Sequence, residues 1–398
     1  MDISTKLIIN ILGMGDHVDA MLPIGRDLLN EHTIFSGGKR HYELVKSILP
    51  KEHSWIEISG KMQTIVDKYK SSNQPILIFT SGDPFFFGFG NTLKRLIPEA
   101  QLVITPWFSS IHRLCHKAQI NASEIKHVTL HGRSWKGLDI ALIRNEWTIG
   151  VLTDKKHSPN LIAQHLLDVG LDHYELIVGE HLDGFNEKIS YLDLKIASKK
   201  SFGDLNTVIL RKTAEKVNLT SFSDDFYQTL EGRPGMITKK PFRALAIQAL
   251  ELSNKSVFWD VGACTASVSI ECKRQFPELD VTAFEIRQEC EEIIQMNIKR
   301  TSTPGIHVKI GDFFSNTIEG SSPDAVFIGG HGNRLEEMIQ RIDTSLVLNG
   351  KLVMNTVSKT SKETFIKMTK KLGYQLNTPL TVNINEYNAI NVLAATKK

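Results

Sequence analysis

The sequence predicts an α/β protein built as two successive halves, and three observations carry that prediction. Short apolar runs alternate with amphipathic stretches along most of the 398 residues. The rhythm lapses once, from Arg211 to about Gly235, where RKTAEKVNLTSFSDDFYQTLEGRPG is polar and offers only Phe222 and Phe226-Tyr227 as anchors. The last two apolar runs, Tyr374–Val382 and Asn388–Ala395, have no long helix between them, which points to a hairpin and a final antiparallel strand. The length suits two cores rather than one. Residues 1–212 and 236–398 are therefore expected as domains, with 213–235 as the linker.

In the first half, Lys6–Leu12 predicts a strand running into the turn Gly13-Met14-Gly15, followed by a helix around Leu22–Asn30. Pro75–Thr80 predicts a strand, Ser81-Gly82-Asp83-Pro84 its turn, and Gly90–Leu96 a helix. Further strands are expected at Gln101–Thr105, Trp147–Leu152, Glu175–Val178 and Thr207–Leu210. Pro159–Val169 reads as a helix, with proline at its start and Gly170 just past its end. In the second half, strands are expected at Val257–Val261, Val281–Phe284, Ile306–Ile310, Asp324–Ile328 and Lys351–Asn355. Helices are expected at Ala266–Gln275, Gln288–Lys299, Arg334–Ser345 and Lys362–Leu372. Short turns between alternating elements make this an open, doubly wound sheet.

Bulk composition narrows the function. Lys+Arg is 47 and Asp+Glu 44, a formal net charge of +3, which is too small to point to nucleic acid. No run is long and apolar enough to cross a bilayer, and MDISTKLIINILGMG lacks the layout of a secretory leader. Cys115, Cys264, Cys272 and Cys290 form no Cys-x-x-Cys pair, so no disulfide framework or zinc ribbon is indicated. A reducing cytoplasm is the expected setting. His112, Cys115 and His116 share one helical face but lack a fourth ligand, so they read as structural and no metal site is expected.

The sharpest motif is Trp259-Asp260-Val261-Gly262-Ala263-Cys264-Thr265-Ala266-Ser267. An acid ends a strand, small residues turn, and a helix begins, so its first backbone N–H groups can approach a ligand. Glu285 ends the next strand, where a carboxylate can accept from both hydroxyls of a ribose. Gly311-Asp312 ends the third strand, within reach of an adenine amino group. Asp260, Gly262, Ala263, Glu285 and Asp312 thus sit at the carboxyl ends of successive strands, the ligand-binding edge of open α/β sheets. The competing reading of any one acid is a helix cap. In the first half, Ser81, Gly82 and Asp83 occupy a strand end beside a rigid proline, and Phe85-Phe86-Phe87 offers an apolar wall for a flat ligand.

These stretches resemble known families. ITKKPFRALAIQAL, VFWDVGACTASVSIE, AFEIRQE and PDAVFIGGHGN, spanning about Met236 to the C-terminus, look like the decarboxylating precorrin methyltransferase domain CbiT, a class I Rossmann-like methyltransferase. The resemblance adds Gly329 to the cofactor set and Thr238, Lys239 and His331 as substrate contacts. The family's turn is Gly-Ala-Gly-Thr-Gly, whereas Cys264 and Ala266 stand here at two of its glycines, and His331 stands where a small residue is usual. Cys264 implies either altered loop geometry or weakened cofactor affinity.

SGGKRH, TSGDPFFFGFG, TPWFSS, LHGR, LTDKKHSPNLIAQHLLDVG and VGEHLDGFNEKI, within residues 5–212, are similar to the CbiE branch of the tetrapyrrole methylases. That family is built of two α/β lobes. Its cofactor lies in the cleft between them, which places Ser81, Gly82 and Asp83 at the site.

A CbiE-like half followed by a CbiT-like half is the fused, CobL-like arrangement of the precorrin-6Y C5,15-methyltransferases (decarboxylating). The resemblance implies S-adenosyl-L-methionine as cofactor, a tetrapyrrole substrate and self-association. Methylation at C5 would fall to the first half, and methylation at C15 with loss of the C12 acetate carboxyl to the second. No catalytic acid or base is assigned. Lys239-Lys240 with Arg243, and Lys39-Arg40, are candidates for binding substrate carboxylates, against the alternative of a solvated surface. Two rival readings stay open: an RNA methyltransferase, and a non-catalytic scaffold left by decay of the Cys264 loop.

Overall fold

The computed structural model describes residues 7–18, 23–315, 320–384 and 388–398. The chain forms two compact units. One comprises Met1–Arg133, Trp147–Gln164 and Tyr174–Thr213; the other comprises Ser134–Glu146, His165–His173 and Ala214–Lys398.

The first unit holds two sheets. Strands β1 (Ile8–Met14), β2 (Ile34–Gly37), β3 (Ser54–Glu57), β4 (Ile76–Ser81) and β5 (Gln101–Thr105) are all parallel, in the order β3-β2-β4-β1-β5. Strands β6 (Lys126–Thr129), β7 (Thr148–Leu152), β8 (Tyr174–Glu180), β9 (Lys188–Asp193) and β10 (Asn206–Lys212) follow the order β6-β7-β10-β8-β9, in which only β6 and β7 are parallel. These are the two expected lobes. The apolar runs of β1 and β4 are buried on both faces. Ile9, Ile11, Ile76 and Ile78 pack with Tyr69 and Leu93, while Leu12, Met14, Leu77 and Phe79 pack with Phe35. Burial on both faces is why these strands read as unbroken apolar runs. The helix expected around Leu22–Asn30 is Pro23–Glu31. Lys6 and Leu22, which the predicted elements included, lie outside the described residues.

The second unit carries β11 (Val257–Val261), β12 (Asp280–Glu285), β13 (Ile306–Ile310), β14 (Ala325–Ile328), β15 (Lys351–Thr356), β16 (Gln375–Leu376), β17 (Leu380–Val382) and β18 (Ile390–Thr396). Their order is β13-β12-β11-β14-β15-β18-β16, with β17 also on β18. The strands from β13 through β15 are parallel, and β18 is antiparallel to β15, as the closing hairpin predicted. The single strand expected at Tyr374–Val382 is instead two short ones. Both pair with β18, and the register slips by one residue between them, so the chain bulges at Asn377-Thr378-Pro379. Pro379 has no N–H to give the ladder.

Within residues 213–235, expected as a linker, the two ends (213–220 and 231–235) are exposed and the middle is anchored. Phe222 and Tyr227 are buried. The Glu271 carboxylate accepts from Phe222 N (3.0 Å), Tyr227 Oη (3.2 Å) and Arg243 Nε (2.9 Å). Arg243 is wholly buried and donates onward to Asp224 Oδ1 (2.9 Å), Thr238 O (2.5 Å) and Phe222 O (2.7 Å). The few aromatic residues in a polar stretch suffice because a buried ion cluster fixes the backbone around them. Arg243 therefore has no place on a solvated surface or on substrate.

Candidate active site

In the second unit, the carboxyl ends of the parallel strands open into a cleft of about 510 Å³. Gly262, Ala263, Glu285, Asp312, Gly329, Thr238, Lys239 and His331 all line it, so eight of the nine residues predicted for this half converge there. Asp260 does not. Its carboxylate is buried and accepts from Ser269 N (3.1 Å) and Ser269 Oγ (2.7 Å), capping the helix Ser267–Gln275. Burial raises its pKa to about 6, against the lowering effect of the two Ser269 hydrogen bonds. Here the cap reading wins because a serine two positions into the helix offers two donors.

The turn after β11 keeps a glycine-like backbone without its glycines. Gly262, Cys264 and Ala266 have φ of +77°, +50° and +56°. Gly262 itself has no room for a side chain, since a Cβ would lie 2.5 Å from Gly330 N and O. Cys264 accepts the left-handed region with its thiol donating to Met236 O (3.2 Å) and its N–H donating to Glu285 Oε2 (2.8 Å). Burial pushes the Cys264 thiol up to about 12, so it stays protonated. Glu285 is anchored twice more, by Arg287 N and Arg287 Nη1, each at 3.0 Å. A carboxylate offers about four acceptor sites, so with three taken Glu285 keeps capacity for one further donor. Asp312 accepts from Phe314 N (3.0 Å) and Arg334 Nη1 (3.2 Å), and the Arg334 guanidinium lies 3.7 Å from the centre of the Phe314 ring.

Sequence reasoning missed Arg287, Arg334, Phe314 and Asn355, all of which line this cleft. Arg287 stands inside the AFEIRQE motif and was legible there; the others come from loops and strand ends with no pattern of their own.

The first unit holds a second cleft, of about 620 Å³, lined from both lobes. Ser81, Gly82 and Asp83 line it, with Met14, Gly15, Phe86 and Phe87. Gly82 has φ +64° and donates its N–H to Met14 O (2.9 Å). Asp83 Oδ1 accepts from Phe85 N (2.8 Å), which shapes its own turn. Ser81 Oγ accepts from Arg40 Nη2 (2.6 Å), and Arg40 Nη1 pairs with Asp16. His41 Nε2 lies 3.0 Å from Ser81 Oγ. Burial, helped by the Arg40 charge, pushes the His41 pKa down to about 4. Sequence reasoning left Arg40 undecided between surface and substrate, and missed Asp16, Arg113, Arg133 and His181; all five line the cleft.

The second unit's sheet, with a cleft at its carboxyl edge, has the order expected of a class I methyltransferase, and the first unit has the two lobes and the cleft expected of a tetrapyrrole methylase. Residues 231–393 match the family model of a precorrin methyltransferase domain. The chain is 29% identical over 381 residues to a precorrin-6Y C(5,15)-methyltransferase [decarboxylating] of Sinorhizobium sp., covering 92% of this chain and 89% of that protein. A cobalt-precorrin-6B C(15)-methyltransferase (decarboxylating) of Salmonella typhimurium is 40% identical over 128 residues, covering 32% of this chain and 66% of that one. A cobalt-precorrin-7 C(5)-methyltransferase of the same organism is 24% identical over 205 residues, covering 51% of this chain and 98% of that one. Along nearly its whole length the chain is thus similar to fused precorrin-6Y C5,15-methyltransferases (decarboxylating), and its residues 231–393 match a precorrin methyltransferase domain.

Proposed function

We infer that this chain methylates a precorrin-6Y-type macrocycle at C5 and C15 and removes the carboxyl of its C12 acetate, as a step of cobalamin biosynthesis. The observation that carries this reading is one chain holding two separate clefts, each at strand ends, each built around turn residues predicted from sequence. The second unit acts at C15 and on the acetate; the first acts at C5.

S-adenosyl-L-methionine supplies an already activated methyl group. The residues present fit it. Glu285 would accept from a ribose hydroxyl, Asp312 would face the adenine, and Gly262, Ala263 and Gly329 would let the backbone approach the ligand. Ser81, Gly82 and Asp83 do the same in the first unit. What remains for the protein is to align acceptor carbon, methyl and sulfur, to exclude water, and to hold the substrate's carboxylates. Lys239, Arg287 and Arg334 serve that last role in one cleft and Arg113 and Arg133 in the other, with Thr238 and His331 as further substrate contacts.

The left-handed backbone at Cys264 opposes the reading of a decayed loop, and the near-neutral net charge opposes RNA. A cytoplasmic setting is proposed on family grounds; among the described residues no helix is long and apolar enough to cross a membrane. A homo-oligomer is proposed on family grounds and is read directly by sedimentation.

Calorimetric titration of S-adenosylmethionine into the full chain tests the reading. Two sites are expected. Glu285→Ala abolishes one, and Gly82→Val, which puts a branched side chain at φ +64°, abolishes the other. A single site that survives Glu285→Ala would overturn the two-centre assignment.

A further inference from the structure

Exchanging hydrogen for methyl at an unsaturated ring carbon releases a proton, so C5 methylation needs a group that accepts it. Two histidines, His131 and His181, line the first cleft, and His41, His112 and His127 touch residues that line it. His41 is largely buried and does not line it. His131 lines it but directs Nδ1 at the backbone oxygen of Thr153 (3.2 Å). His181 lines it and faces a carboxylate, with Nδ1 3.7 Å from Asp16 Oδ2. It is the one histidine–carboxylate pair among the described residues lining this cleft.

Three further features mark His181. Its backbone sits at φ +48°, a region that costs a non-glycine residue about 1–3 kcal/mol and is retained where the surroundings demand it. The strain is held by His181 N donating to Leu205 O (2.9 Å) and by Gly184 N donating to His181 O (2.8 Å). Its other nitrogen, Nε2, lies beside Gly203, where a Cβ would come within 3.2 Å of it. Asp16 is itself held by Arg40, whose second nitrogen reaches Ser81 of the strand-end turn. The chain Ser81–Arg40–Asp16–His181 thus ties the base to the turn proposed to hold the methyl donor.

We propose that His181 is the catalytic base of C5 methylation, with Asp16 as its positioning residue. This rests on the reading of the first unit as the C5 methylase. C5 forms its bond to the methyl carbon with an electron pair of the ring, and the methyl–sulfur bond breaks to leave a neutral thioether. The C5–H bond then breaks, its pair returns to the ring, and His181 Nε2 takes the proton. Asp16, 3.7 Å from Nδ1, positions the ring.

The test uses the full chain with precorrin-6Y and S-adenosylmethionine, following each methylation by mass spectrometry. His181→Asn suits the left-handed backbone. It is expected to slow C5 methylation by about 10²-fold or more, so that singly methylated, decarboxylated product accumulates. C15 methylation and S-adenosylhomocysteine affinity of both sites should be unchanged, and added imidazole should restore part of the C5 rate. Asp16→Asn is expected to give a smaller loss. A His181→Asn rate within a few-fold of the parent, or a loss that tracks cofactor affinity and ignores imidazole, overturns the proposal. Failure of the parent chain to methylate C5 at all would overturn the underlying reading as well.

Discussion

At the end of β1, a Cβ on Gly13 would lie 2.0 Å from Gly82 O and 2.6 Å from Trp107 N. At the end of β11, Gly262 is equally shut in by Gly330, yet two and four residues later Cys264 and Ala266 take the same left-handed backbone while carrying side chains. Glycine is thus used for two separable purposes beside these clefts. Where one backbone crosses another, no substitute fits. Where only the sign of φ matters, another residue can serve if neighbours hold it, as Met236 O and Glu285 hold Cys264.

The two units also differ in where they keep charge. The Asp16–Arg40–Ser81 group borders its cleft, with the Arg40 side chain about a third exposed (35%), whereas Arg243 and Glu271 are buried (0% and 1%). Replacing each arginine by methionine should separate the cases. Arg243→Met leaves the Glu271 carboxylate without its cation and is expected to cost about 3–5 kcal/mol. Arg40→Met should cost less than about 1 kcal/mol of stability. Chemical denaturation of the two variants makes the check; equal losses would erase the contrast.

Acid titration gives the next largest difference, and here the units respond with opposite signs. Asp260 is raised from 3.8 to about 6, so its folded form is favoured when protonated. Its stabilising effect is complete below pH 3.8 and is lost as pH rises to 6. His41 is lowered from 6.5 to about 4; its effect is complete above pH 6.5 and is lost as pH falls to 4. Each change amounts to up to about 3 kcal/mol at 1.36 kcal/mol per pH unit. Asp260→Asn, which keeps an oxygen for Ser269, should remove the first dependence and stabilise the chain at pH 7. Denaturation midpoints across pH 4–7 read both.

The turns supply smaller effects. Gly13→Ala forces backbone against backbone and should cost about 2–3 kcal/mol. Cys264→Gly relieves a left-handed non-glycine and should change stability by about 1 kcal/mol or less, with S-adenosylmethionine affinity held or improved. A large loss on Cys264→Gly, measured by thermal unfolding, would mean that the thiol contact to Met236 O, and not the backbone, shapes the loop.

The sequence by itself determined the alternation of elements, the reversed last strand, and the turns at both clefts. Each rests on local chemistry: apolar runs buried on two faces, and small or turn-forming residues at strand ends. It was silent on β2, β3, β6 and β9: Ser54–Glu57 and Lys188–Asp193 are half exposed and carry no apolar run, and Ile34–Gly37, though largely buried, is only four residues long. Only the tertiary structure decided which acids face a ligand. Asp260 and Glu285 are both strand-end carboxylates, yet Ser269 draws one into a cap while Cys264 N–H and Arg287 hold the other in the cleft wall. It also brought Asp16 and His181, 165 residues apart in sequence, to one edge of a cleft. A carboxylate's role depends on which donors fold against it, and those donors come from elsewhere in the chain.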